Sequence, residues 1–178
     1  MAKTGDLYTQ RLYQSVNILA AGGTLGVHAF TDAYKPEDLI GFVLQEVRYY
    51  VEGTVFAALN TALDRVKFGL PFLQTFPAGG PEVNNPGILD HHAVTRVDVA
   101  APAADVVYFE RNPIAVRVFS DLKGDGLLVH PVNLFLFGYA DAAIAGDVNV
   151  HAEISYYRVT LTDALHKELW QSIYIRQV

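Results

Sequence analysis

The stretch DVNVHAEISYYRVTL, Asp147 to Leu161, alternates apolar and polar residues almost without fault. Val148, Val150, Ala152, Ile154 and Tyr156 fall on one face, and Asn149, His151, Glu153 and Ser155 on the other. A period of two marks a half-buried strand. After Tyr156 the phase slips by one, so that Tyr157, Val159 and Leu161 become the apolar set, which predicts a β-bulge. Strands average about 5–6 residues, and this one needs roughly twice that. The chain therefore builds a large β-sheet around a long central strand.

Working back from this strand, Gly124-Asp125-Gly126 is a turn that opens a strand over Leu127–Phe137, and a Gly-Tyr-Ala-Asp loop follows it. Leu39–Val51 carries apolar residues at Leu39, Val43, Val47, Tyr49 and Val51, while its even positions run from apolar (Ile40, Phe42, Leu44) to charged (Glu46, Arg48). One end of that strand is buried on both faces, so a second sheet, a helix or a neighbouring subunit must cover Ile40, Phe42 and Leu44. Further strands are expected at Leu7–Leu19, Thr24–Phe30, Arg65–Phe72, Val94–Val99 and Ile114–Phe119. The first of these also has helical spacing at Tyr8, Leu12 and Val16, but Thr9, Tyr13, Val16 and Ile18 favour strand. Beyond the last strand, Thr162 is a good N-cap for a short helix in which Leu161, Leu165, Leu169 and Ile173 recur every four residues. About eight strands, one terminal helix and no alternation of strand with helix leave a β-sandwich, a jelly roll or a closed barrel. A Pro-, Gly- and Asn-rich loop spans Phe76–Gly87, and Ala100–Ala104 forms a second irregular region.

Hydrophobic residues make up 51% of the 178 and charged residues 18%, a balance that suits a folded chain and argues against disorder. The apolar surplus belongs either in subunit contacts or in sheets buried on both faces. Net charge is −6, with only Lys3 and Arg11 near the N-terminus and no basic block. Phosphate neutralisation needs clustered cations, so direct nucleic-acid binding is not expected. With no Cys, disulfides, zinc–thiolate sites and thiol nucleophiles are excluded. No apolar run reaches the roughly 18 residues of a membrane span, and no signal-peptide core is present, so a soluble protein made in a cytoplasm is expected.

Three stretches together resemble single-jelly-roll viral capsid proteins. They are Leu39-Ile40-Gly41-Phe42-Val43-Leu44-Gln45-Glu46-Val47-Arg48-Tyr49-Tyr50, then Val66-Lys67-Phe68-Gly69-Leu70, then Gly126-Leu127-Leu128-Val129-His130-Pro131-Val132-Asn133-Leu134-Phe135-Leu136 leading into the last strand and on to Trp170. The resemblance implies an all-β, eight-stranded jelly-roll sandwich with a short C-terminal helix over one domain, residues 1–178. It further implies self-assembly into an icosahedral shell of a virion formed in a host cytoplasm, without catalytic activity. Many small coat proteins that package RNA carry a basic N-terminal arm, and this chain lacks one. A second coat or penton protein, an internal viral membrane or counter-ions would then face the genome.

Among chemistry-bearing clusters, Asp90-His91-His92 alone has metal-ligand character. Adjacent side chains on a strand point to opposite faces, so the two His rings chelate one ion poorly, and a surface or contact role is preferred. The acids Asp121, Asp125, Glu37 and Asp38 sit in turn-like contexts. Calcium bound by loop acids at a subunit junction is the one cofactor role left open. No GxSxG elbow or phosphate-cradling loop occurs. Tyr49-Tyr50 and Tyr156-Tyr157 each direct one ring to either face. These four, with Trp170, are the candidate subunit-contact residues, together with segments 1–6 and 171–178. The competing reading is a carbohydrate- or ligand-binding sandwich that uses exposed Tyr with loop Asp or Asn.

Overall fold

The computed structural model describes residues 3–4, 9–30, 39–52, 65–72, 80–85, 87–95, 113–119, 126–130 and 134–175. Along the chain run β1 (Lys3–Thr4), β2 (Gln10–Ile18), β3 (Gly26–Ala29), β4 (Ile40–Glu52), β5 (Arg65–Pro71) and β6 (Ile88–Thr95). They are followed by β7 (Ala115–Val118), β8 (Leu127–Val129), β9 (Phe135–Ala140), β10 (Val148–Thr160) and the helix α1 (Asp163–Ile175).

All strand pairs are antiparallel and form two sheets. In the first, β10 lies between β2 and β4, β1 shares the β2 edge, and β7 and β8 follow one another along the far edge of β4. The second runs β3-β9-β5-β6. Reading β2 to β10 as strands B to I, with β7 and β8 together as G, gives B-I-D-G facing C-H-E-F. This is the jelly roll. The eight expected strands become ten because the strand expected over Leu127–Phe137 divides into β8 and β9, and Lys3–Thr4 adds β1. Phe119 donates its amide to Gln45 O at 2.8 Å and Leu127 lies opposite Leu44, so β7 and β8 hold the same edge of β4.

Three sequence expectations need correction. The strand expected over Leu127–Phe137 is two: β8 belongs to the first sheet and β9 to the second, so the chain changes sheets between them. Pro131, which has no N–H for a ladder, stands in the connection. The strand expected from Val94 begins earlier, at Ile88, and carries Asp90, His91 and His92. Helix α1 runs to Ile175, so residues 171–175 are helix and not a tail. Its start is as expected: Leu165 N donates to Thr162 Oγ1 at 3.3 Å, and His166 N to Thr162 O at 2.8 Å.

The register of the two long strands does shift between Ser155 and Tyr156, but the surplus residue is Gln45 of β4. Before the bulge Phe42 and Leu44 face the core; after it Val47 and Tyr49 do. That reconciles the mixed pattern of this strand: Ile40, Phe42 and Leu44 are covered by the second sheet. In β10 alternation continues unbroken, and what changes past Tyr156 is the cover. Val43, Val159 and Leu161 form a small separate cluster on the outer face, closed by Leu165 and Leu169 of α1 with Leu128 and Tyr157. The apparent slip in sequence is thus a helix landing on the other side of the strand.

The main core lies between the sheets, where Leu44, Val47, Tyr49, Leu70, Leu136, Val150 and Ile154 are fully buried. The sheets approach closely where Gly26 pairs with Gly138, since a Cβ on Gly138 would come within 2.7 Å of Ile18 Cγ1 and 2.9 Å of Val16 Cγ1.

Candidate functional site: the outer face of the long-strand sheet

Alternation sends every second residue of β2, β10 and β4 away from the core, and the antiparallel register sets them in rows. Ser15, His151 and Tyr50 form one row; Tyr13, Glu153, Arg48 and Val116 the next; Arg11, Ser155, Glu46 and Val118 the third. An open hollow of about 380 Å³ is lined by Tyr13, Ser15, Tyr50, His151 and Glu153 among others. Tyr13 is 67% exposed, and Val116 and Val118 on the neighbouring edge are exposed too. Glu153 is buried beneath these rings. Its carboxylate takes an ion pair from Arg11 Nη1 at 2.7 Å and a hydrogen bond from the Tyr50 hydroxyl at 3.2 Å. Arg48 pairs with Glu46 on the same face, and His151 lies 3.5 Å from a Glu52 carboxylate oxygen. A face of aromatic bodies and internally neutralised charge suits noncovalent contact: its ions are already paired, so covering it need not strand a charge.

The structure separates the Tyr pairs. Tyr49 and Tyr156 are 0% and 2% exposed and belong to the core, which removes them as contact residues: in each pair the inward ring fills the space between the sheets. Tyr50 and Tyr157 are half-buried on the outer side, Tyr50 in the hollow and Tyr157 against the helix cluster. The Trp170 side chain lies outside the described residues, as do residues 1–2, 5–6 and 176–178. Lys3 and Thr4 pair with Thr160 and Val159 of their own chain.

Asp90-His91-His92 divides as strand geometry demands. Asp90 and His92 face inward, and Asp90 Oδ2 accepts from the Tyr49 hydroxyl at 2.9 Å and lies 2.9 Å from His92 Nε2. The His92 ring stacks on Phe68 and meets Tyr49 edge-on, so this group links the two sheets through the core. Burial, then the charge of Asp90 and its hydrogen bond, hold the Tyr49 phenol well above its ordinary value, so it donates and stays neutral. Asp90→Ala is expected to cost about 2 kcal/mol, because the fully buried Tyr49 hydroxyl loses its acceptor. Asp90→Asn, which keeps an acceptor oxygen, should cost less; urea unfolding of the pair checks this.

His91 points to the opposite side, against Phe137, and burial pulls its pKa down. Beside it stands a residue the sequence did not reveal. Lys67 alternates with Val66 and Phe68 as a solvent-facing cation would, yet it is 2% exposed. Its ammonium is 2.5 Å from Glu82 Oε1 and 2.8 Å from Asp141 Oδ1, with the Tyr139 ring beyond. Burial lowers its pKa, but the bonds and charges of Asp141 and Glu82 outweigh this and raise it. The hydrogen bond from Lys67 in turn lowers Glu82. The clamp ties residues 80–85, part of the Pro-, Gly- and Asn-rich loop read from the sequence, down onto the second sheet. Among the described residues, no group of three His, Cys, Asp or Glu side chains is placed to hold a metal ion. No described helix is long and apolar enough to cross a membrane.

No protein-family model matches the sequence, and no curated protein does. Solved structures do. VP1 of Trichodysplasia spinulosa-associated polyomavirus, in complex with 3'-sialyllactose, aligns over 90% of this chain and 97% of its own, with a TM-score of 0.56 at 10% identity. Merkel cell polyomavirus VP1, in complex with 3'-sialyllactosamine, aligns over 90% and 98%, with a TM-score of 0.54 at 8% identity. The same protein as an unassembled pentamer aligns with a TM-score of 0.50 at 8% identity. The fold is thus the jelly roll of viral capsid proteins, shared without sequence likeness.

Proposed function

We propose that this chain is a capsid subunit, a non-catalytic protein that associates with copies of itself into a virion shell. The observation that carries the reading is the extent of the fold match: the alignment takes in 90% of this chain and 97–98% of the VP1 chains. Fold alone does not assign function. The outer face adds support, because Tyr13, Tyr50, Val116 and Val118 offer aromatic and apolar surface beside charges that are already paired. Shells are built from many weak contacts of this kind, each modest and collectively strong. One of the matching VP1 structures is a pentamer, and a ring of subunits is the expected first product here. Segments 1–6 and 176–178, with Trp170, are proposed to lie in those contacts, and a second coat or penton protein to complete the shell.

Purified protein examined by negative-stain microscopy and light scattering after gel filtration, over a range of salt and pH, is expected to show closed particles or regular five- or six-membered rings. A monomer throughout, with a melting temperature raised by oligosaccharide, would favour a ligand-binding sandwich instead. The hollow between Tyr13, Tyr50 and Glu153 would then be its binding site.

A further inference from the structure

His130 and His166 lie far apart in sequence, yet their Nε2 atoms are 3.1 Å apart. His130 directly follows β8 and is 0% exposed. His166 sits on the inward side of α1, between Leu165 and Leu169, and is half-buried. The rings meet edge to face with centroids 5.0 Å apart. A contact between two imidazole nitrogens needs one donor and one acceptor, so a single hydrogen lies between them. The pair tolerates no more than one positive charge: with both rings protonated, two N–H groups face each other and the contact must open.

We propose that this pair is an acid-sensitive latch that holds α1 to the sandwich at neutral pH and releases it when both rings are protonated. Among the described side chains, the rest of the helix's attachment is a cluster separate from the main core. It comprises Leu165 and Leu169 on Val43, Val159 and Leu161, with Leu128 and Tyr157 alongside. Among the described residues, release therefore undoes this cluster, and the packing between the two sheets does not depend on it. The titratable groups on the described elements around the pair are few. The described ends of β8 and β4 contribute Leu127, Leu128, Val129, Ile40, Phe42 and Val43, none of which titrates. On α1 the charged residues Asp163, Lys167 and Glu168 are on the exposed side. On β10, Arg158 stands one strand further along the row Val129–Phe42–Arg158, and its charge is positive. Thr162, which caps the helix, does not titrate in this range.

The sign follows from burial. Desolvation first, and His166 second, push His130 down to about 4, below its ordinary value of 6.5. The released state thus binds a proton more readily than the docked one. Docking is at full strength above about pH 6.5 and weakens as pH falls towards 4. From these two values the opening equilibrium of α1 rises by about 100-fold between pH 7 and pH 4.

The latch is independent of the capsid reading and is tested on the isolated full chain, by hydrogen exchange with mass spectrometry from pH 7 to pH 4. Protection factors are corrected for the intrinsic pH dependence of exchange. Peptides covering 161–175 are expected to lose about 100-fold in protection, while those of β4 and β10 between Val47 and Ile154 keep theirs. His130→Gln, which still bonds His166 but cannot take the second charge, should hold the helix protected at pH 4. If His130→Gln already exposes α1 at pH 7, His130→Leu, which fills the site with apolar bulk, serves the same comparison. A helix that stays protected in the native chain at pH 4 would overturn the proposal. So would equal loss in the native chain and in a variant docked at pH 7, since carboxylates would then be responsible.

Discussion

Leu44→Asp is expected to yield no folded chain. Leu44 is 0% exposed, is paired with Tyr156 on one side and Leu127 on the other, and belongs to the main cluster between the sheets. Loss of the leucine alone costs about 2–5 kcal/mol. A carboxyl group buried without partners adds about 2–7 kcal/mol even in its neutral form. Together these come to about 4–12 kcal/mol, comparable with the whole margin of a typical domain, about 5–15 kcal/mol. Neighbouring strands offer no relief, because the ladder amides beside Leu44 are already engaged with β10 and β8. Far-UV circular dichroism and the soluble fraction on expression would show the loss. Leu44→Ala should remain folded with a lowered urea midpoint. A Leu44→Asp protein that melts cooperatively within a few degrees of the native chain would mean that β4 is not the centre of the first sheet.

The second large effect is expected at Gly69. It sits mid-way along β5, the strand held between β6 and β9, opposite His91 on one side and Phe137 on the other. A Cβ there would overlap the carbonyl oxygen of Asp90 and come within 3.0 Å of Phe137 Cε1. The first obstacle is backbone and cannot rotate aside, so β6 must shift, and with it the Asp90 carboxylate that accepts from Tyr49. Gly69→Ala should therefore cost about 3 kcal/mol or more, at the upper end of overpacking, and Gly69→Val more still. Gly146→Ala, where a Cβ meets nothing within 4 Å, should leave the urea midpoint unchanged within about 0.5 kcal/mol. Equal effects at the two glycines would show that β5 and β6 are not packed as closely as described.

What separates these positions in the sequence is uneven. Leu44 announces itself, because a run of apolar residues on both parities of a strand means cover on both faces. Gly69 is visible only as a glycine inside an alternating strand, which signals a close approach without saying to what. Asp90 and His92 are legible as residues sharing a face, but their partner Tyr49 lies on the other sheet, 41 residues away. Lys67 misleads outright: its alternation promises water, and only the return of Glu82 and Asp141 over the strand buries it.

The two long strands show the same division. Alternation in the sequence determined that Leu39–Val51 and Asp147–Leu161 are strands, that an irregularity falls near Tyr156, and that a capped helix follows Thr162. Each of these depends on side chains within one strand or one turn, where spacing along the chain is spacing in space. Tertiary structure alone decided that the bulge belongs to Gln45 and that Tyr157, Val159 and Leu161 are apolar because a helix covers them. It alone joined His130 to His166. These outcomes depend on which strand lies alongside and which face is roofed, and pairing across many residues leaves no periodic trace in either partner.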